Sequence, residues 1–287
     1  MSSFVGRDRQ LQQLVNLLRV ARVVSLLGPA GVGKTRLALH ACHEVRPDYP
    51  DGVWWCDLAQ AGPGEVATVI ATRLRVHERT GESLLERVAT VMGHRRALVV
   101  LDNCEHVLAE VGALADALIS RGDGVDVLAT SRGPMGIDGE HRMRLAPLPV
   151  PEDDGSAPAV ALFLDRARAV AAEFDPRGRA WASMVELCRS VGGLPLALEL
   201  AAVWVGRVGL DTLARRVGAQ PGLLESARPV RSDRHPSLLA ALDSAYPLLR
   251  PRDRALLDRL SAFAGPFTLE AAECLDEVGG QATTVAD

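Results

Sequence analysis

Residues 28–35 read Gly-Pro-Ala-Gly-Val-Gly-Lys-Thr, and of the 32 lysine and arginine positions in the chain, 34 alone is lysine. A chain that uses arginine at every other basic position has a geometric reason to depart from it here. Arginine's planar fork is too broad for a tight loop that wraps an anion, whereas an ammonium reaches in as a compact point charge. Gly28, Gly31 and Gly33 permit the backbone angles that turn consecutive N–H groups toward phosphate oxygens. The spacing matches G-x-x-x-x-G-K-[ST] in full. An apolar run, Val23 to Leu27, precedes the loop, and a helix-like segment follows it through about Glu44. Strand, glycine loop and helix in that order make a unit that buries its strand only inside a parallel sheet.

Four more short apolar runs recur between helical stretches: 53–58, 97–101, 125–129 and 142–145. Near-continuous apolar strands alternating with helices predict an α/β fold, a parallel sheet of P-loop NTPase type with helices on both faces. Residues 8–20 read as an amphipathic helix, with Leu11, Leu14, Val15 and Leu18 on one side. Trp54 and Trp55 read as sheet-face packing. Pro147, Pro149, Pro151 and Pro158, with Asp153-Asp154-Gly155-Ser156 among them, then interrupt the pattern as a linker. Beyond it the chain turns helical, over about 159–173, 179–191, 195–206 and 210–217. A second break at 220–236 precedes helical stretches at 237–249 and 251–263, and Thr268 is placed to cap a further helix over 269–276.

With 48% hydrophobic and 24% charged residues and a net charge of −4, the chain does not look like a protein that coats nucleic acid. Its five cysteines are scattered, which suits reduced thiols, and no stretch reaches membrane-spanning length. A cytoplasmic protein is the expectation, with no membrane partner.

The chemistry gathers around the glycine loop. Lys34 is expected to reach the β- and γ-phosphates of a nucleotide, and the Thr35 hydroxyl to ligate Mg2+. The nucleotide-binding set runs from Gly28, Pro29, Ala30, Gly31, Val32 and Gly33 through Lys34, Thr35 and Arg36. Asp102, at the end of the run Leu98-Val99-Val100-Leu101, is a carboxylate at the tip of a buried strand. Such a charge is costly there unless something pairs with it, and Mg2+ does. Asn103 stands where a second acid would position an attacking water, and an amide cannot take the proton. Glu105 could fill that role, or could be a solvated surface charge. Arg132 follows the strand 125–129 and faces the ligand crevice, where it could read a γ-phosphate or serve as an ordinary surface arginine.

Phe4-Val5-Gly6-Arg7-Asp8, Leu-Asp-Asn-Cys-Glu-His at 101–106, Thr-Ser-Arg at 130–132 and Gly193-Leu194-Pro195-Leu196-Ala197 occur in that order. Together with the glycine loop they resemble the NB-ARC group of STAND ATPases, above all the nucleotide-binding module of large bacterial regulators of the LuxR and antibiotic-regulatory types. The resemblance implies that Val5, Gly6 and Arg7 lie on the adenine and ribose side, that Arg132 senses the γ-phosphate and that Pro195 packs on the adenine. It implies a nucleotide domain at 1–150, a helical lid at 157–230 and the start of a winged helix at 237–287, apparently truncated, with effector and sensor domains missing from this chain. It also implies an ATP/ADP switch, closed with ADP, open and self-associating with ATP, and slow in hydrolysis. Contact with DNA by this fragment is not expected. The alternatives are a continuously cycling ATPase of motor or chaperone type and a DNA-binding module with a secondary nucleotide site.

Overall fold

In the computed structural model the described residues are 3–219, apart from 78, 80, 154, 206 and 207, together with 251–261. Five strands form one sheet: β1 (Val23–Leu27), β2 (Val53–Asp57), β3 (Ala97–Asp102), β4 (Val125–Ser131) and β5 (Glu140–Arg144). Their order is β2-β3-β4-β1-β5, and every neighbouring pair is parallel. Parallel strands need crossovers, and four helices build the three on the way from β1 to β4: α2 (Lys34–Val45), α3 (Val66–Leu74) with α4 (Leu84–Met92), and α5 (Leu108–Ser120). Helix α1 (Asp8–Leu18) comes before the first strand.

All residues of β1 and β3 are buried, as expected for strands covered on both faces. Alternation along β3 divides the core. Val99 and Leu101 pack with Ile70, Leu74, Met92, Leu114 and Leu118 from α3, α4 and α5. Leu98 and Val100 point the other way, to Leu14, Leu18, Leu37 and Val45 of α1 and α2. Trp54 and Trp55 follow the same rule, one against each cluster. Because every strand runs the same way, the C-terminal ends of β1, β3 and β4 meet at one rim of the sheet, the usual position of a ligand crevice.

After β5 the chain forms a helical layer: α6 (Pro158–Val170), α7 (Arg179–Ser190), α8 (Pro195–Val203) and α9 (Leu210–Ala219). It has a hydrophobic core of its own, built on Val160, Phe163, Met184, Val185, Leu187, Leu198 and Leu213. Helices α6 and α8 end about a turn before the sequence pattern runs out. Ala171 is already extended at the end of α6, and one turn of backbone bonding stops there without breaking the apolar periodicity. Phe163 is fully buried, with Phe174 edge-on to it at 6.4 Å. Phe163→Ala should therefore lower stability by about 3–5 kcal/mol, read as a drop in the thermal unfolding midpoint.

Helix α10 (Pro251–Leu260) belongs to a second compact unit. The expected break at 220–236, the helices at 237–249 and 269–276 and the Thr268 cap lie outside the described residues.

Candidate nucleotide site

The glycine loop joins β1 to α2 and is held in place from both sides. Gly28 N–H donates to the Ser131 carbonyl at the end of β4, at 3.2 Å. Gly31 and Gly33 take φ values of 75° and 97°, which side-chain-bearing residues rarely adopt. Gly33 is the N-cap of α2, and the first bond back to it comes from Leu37 N–H, at 3.0 Å. The first turn of α2, Lys34, Thr35 and Arg36, thus opens at the loop, where a helix N-terminus favours an anion. Lys34 is 8% exposed. Its Nζ donates to the Gly28 carbonyl at 2.8 Å and to the Pro29 carbonyl at 3.1 Å. Burial holds its pKa below the ordinary lysine range; Glu105 opposes that shift, Arg132 adds to it and Asp102 opposes it. All three charges thus bear on the ammonium.

Asp102 ends β3 and is completely buried. Its Oδ1 accepts from the Thr35 hydroxyl at 2.9 Å and from the Thr130 hydroxyl at 2.6 Å. The two residues proposed from sequence as Mg2+ ligands are therefore in direct contact, although 67 positions apart. A hydroxyl and a buried carboxylate are hard oxygen donors, and a cation that keeps most of its waters needs few such protein ligands. The residues present fit Mg2+.

Asn103 has φ 64°, left-handed for a side-chain-bearing residue. Its Nδ2 donates to Asp57 Oδ1 at 3.2 Å and to Asp102 Oδ2 at 3.3 Å, and its N–H donates to Thr130 Oγ1 at 3.1 Å. Here an amide does what a carboxylate could not, donating to two acids at once. Asp57 and Thr130 had no assigned role in the sequence reading. The available signal was that Asp57 and Asp102 each close an apolar strand, and parallel register sets them side by side. Beyond β4, Arg132 Nε lies 3.4 Å from Glu105 Oε1, with the two side chains 20% and 16% exposed. Neither is a solvated surface charge.

Of the remaining expected residues, Arg7 and the start of α8 at Pro195 border the loop, while Val5 and Gly6 lie against the helical layer. Arg7 is buried, and its Nη2 donates to the Val32 carbonyl in the loop at 3.3 Å and to the Ala146 carbonyl at 2.7 Å. Gly6 has φ 71°, and a Cβ there would lie 2.6 Å from Pro158 Cβ. Val5 packs on the helical layer's core. Pro195 is the first residue of α8, and the N–H of the next residue, Leu196, donates to the Gly31 carbonyl at 3.1 Å. The helical layer therefore touches the glycine loop itself.

Arg36 differs from its expected use. Its guanidinium turns to that layer, with Nη1 3.2 Å from Glu199 Oε1 and Nη2 donating to the Ser3 carbonyl at 2.7 Å. What Arg36 offers a phosphate is its backbone N–H, because a carboxylate on α8 draws the side chain away.

A glycine loop at a helix N-terminus, a buried lysine and a strand-end aspartate bonded to the loop threonine, all on a parallel sheet, define a P-loop nucleoside-triphosphatase domain. The chain matches the family model described as "AAA ATPase domain" over residues 3–283 and belongs to that family. It is 34% identical over 283 residues to the uncharacterised protein Rv0894 of Mycobacterium tuberculosis, covering 96% of this chain and 69% of that one. It is 35% identical over 258 residues to Rv0890c of the same organism, whose name describes an HTH-type transcriptional regulator, covering 89% of this chain and 28% of that protein. The regulatory protein AfsR of Streptomyces coelicolor is 34% identical over 222 residues, covering 70% and 21% respectively. The chain thus spans less than a third of the length of either regulator. Among solved structures, a STAND protein with a tetratricopeptide repeat sensor from Pyrococcus horikoshii aligns with TM-score 0.49 and 19% identity, over 95% of this chain and 37% of that one. No described helix is long and apolar enough to cross a membrane.

Proposed function

We propose that this chain is the nucleotide-operated switch of a larger transcriptional regulator of STAND type, binding ADP in a closed form and ATP in an open, self-associating one. The observation that carries this reading is the bond from Leu196 N–H to the Gly31 carbonyl. A helical layer that grips the phosphate loop responds to what the loop holds, and a ligand shifts a conformational equilibrium only through contacts that differ between the two forms. Regulators such as Rv0890c and AfsR carry similar sequence in a small part of their length, which suits a control module attached to other domains.

In this reading the loop from Gly28 to Thr35 and the N–H of Arg36 bind the phosphates, and Val5, Gly6, Arg7 and Pro195 frame the adenine and ribose. Residues 1–150 form the nucleotide domain, 157–230 the lid and 237–287 the first part of a winged helix, in a cytoplasmic protein. Thr35 and Asp102 hold Mg2+, which neutralises phosphate charge when bound. Arg132 senses the γ-phosphate. Hydrolysis is slow because Asn103 cannot accept a proton, which leaves Glu105 as the acid to orient a water, and Glu105 is paired with Arg132.

Denaturing the purified protein should release ADP or ATP. Steady-state phosphate release should fall well below the roughly 1 per second at which ordinary enzymes begin. An empty site with no calorimetric adenine-nucleotide binding sinks the proposal, and turnover at or above that rate points to a cycling ATPase. Asp102→Asn should retain the fold, since an amide fills the same space, yet weaken Mg2+ binding in the nucleotide complex at least about tenfold. A Mg2+ titration of nucleotide affinity measures it.

A further inference from the structure

Two opposite charges meet where β3 and β4 end. Arg132 and Glu105 form their ion pair largely out of water. Glu105 Oε2 is also buried, and no hydrogen bond from the described residues reaches it. A buried acceptor left in that state costs about 1–3 kcal/mol, and more when charged. Stability alone is therefore a poor reason to place a carboxylate there. The loop's Gly28 N–H donates to the carbonyl of Ser131, the residue before Arg132, and the loop's Thr35 donates to Asp102 at the end of β3, so the pair sits beside the phosphate loop. A γ-phosphate held by Lys34 would bring negative charge into this corner, attracting Arg132 and repelling Glu105. A diphosphate brings no such group.

We infer that Glu105 competes with the γ-phosphate for Arg132 and so sets the protein's preference between ATP and ADP. With a diphosphate bound, the arginine stays on Glu105. A triphosphate offers it a second anion, and the free energy of ATP binding is reduced by the pair that must open. The inference rests on the reading of Arg132 as the γ-phosphate sensor and adds the residue that opposes it. Glu105 acts here as a specificity-determining residue, through Arg132 and not by touching the nucleotide.

The test is competition binding of ADP and a non-hydrolysable ATP analogue to the 287-residue chain at fixed Mg2+, with the ratio of the two affinities as the readout. Glu105→Gln should raise the ratio in favour of ATP by about tenfold, within the usual span of coupling between sites. Arg132→Ala should lower it. In the Arg132→Ala background, Glu105→Gln should raise the ratio far less than it does in the unmodified protein, because no arginine remains to be released and only direct repulsion is relieved. An equal gain in both backgrounds would mean bare charge repulsion and overturn the inference, as would a Glu105→Gln ratio within about twofold of the unmodified protein. Should Glu105→Gln fail to fold, Glu105→Asp decides, since a shorter carboxylate withdraws from Arg132 and should move the ratio the same way. If Arg132→Ala leaves the ratio unchanged, the sensor reading falls first, and this inference with it.

Discussion

Lys34→Ala should abolish nucleotide retention, with affinity for ATP falling at least about 100-fold. The magnitude follows from hydrogen bonds to charged groups, worth about 1.5–3 kcal/mol each, and Lys34 is placed to make one to each of two phosphates. Lys34→Arg is the sharper test. It keeps the charge and changes only the shape, and the loop has room for a point charge between the Gly28 and Pro29 carbonyls. We expect it to lose most of the affinity as well. Thermal unfolding with and without a non-hydrolysable MgATP analogue makes the measurement: a ligand at about 100 times its Kd adds about 2.7 kcal/mol of stability, and most of that increment should disappear in both variants. An arginine variant within about fivefold of the original affinity would show that charge alone matters at this position.

Gly193→Ala should be the most damaging single methyl in the described part of the chain. Gly193 has φ 66°, and a Cβ there would lie 2.0 Å from the Leu148 carbonyl oxygen. That oxygen is backbone, so it cannot swing aside as a flexible side chain would. The left-handed angle costs about 1–2 kcal/mol and forced overpacking another 1–3, which gives a loss of about 2–5 kcal/mol. Gly193 stands two residues before the start of α8, and its carbonyl accepts from Leu148 N–H at 3.0 Å. Displacing it should also loosen the hold of Leu196 on Gly31 and weaken nucleotide binding. Gly192→Ala is the control. Gly192 has φ 60° with nothing near the added methyl, so only the backbone cost of about 1–2 kcal/mol applies. Equal losses of melting temperature in the two variants would contradict the packing argument.

Much of the fold was legible because its signals are contiguous. The apolar runs became five strands, and the expected β5, 142–145, shifted to Glu140–Arg144. The strand pattern also implied burial on both faces, and the split of β3 between two core clusters shows it. Helix ends were less legible, since α6 and α8 stop while their periodicity continues. In the site, Lys34, Thr35 and Asp102 could be named from motif and position. Arg36 could be placed beside the loop, but the destination of its guanidinium depends on Glu199, which lies 163 positions away.

What the sequence determined by itself is local: a glycine loop that only an anion explains, a lone lysine suited to it, and an acid at a strand tip. These follow from backbone freedom, side-chain shape and the cost of burying charge, all of which act within a few residues. The tertiary structure alone decided the partners. Parallel register set Asp57 beside Asp102 under one Asn103 amide, the β3–β4 rim brought Glu105 to Arg132, and α8 was laid against Gly31. Such contacts join segments tens to more than a hundred residues apart. Their geometry is set by how strands and helices pack together, and no spacing within the chain encodes it.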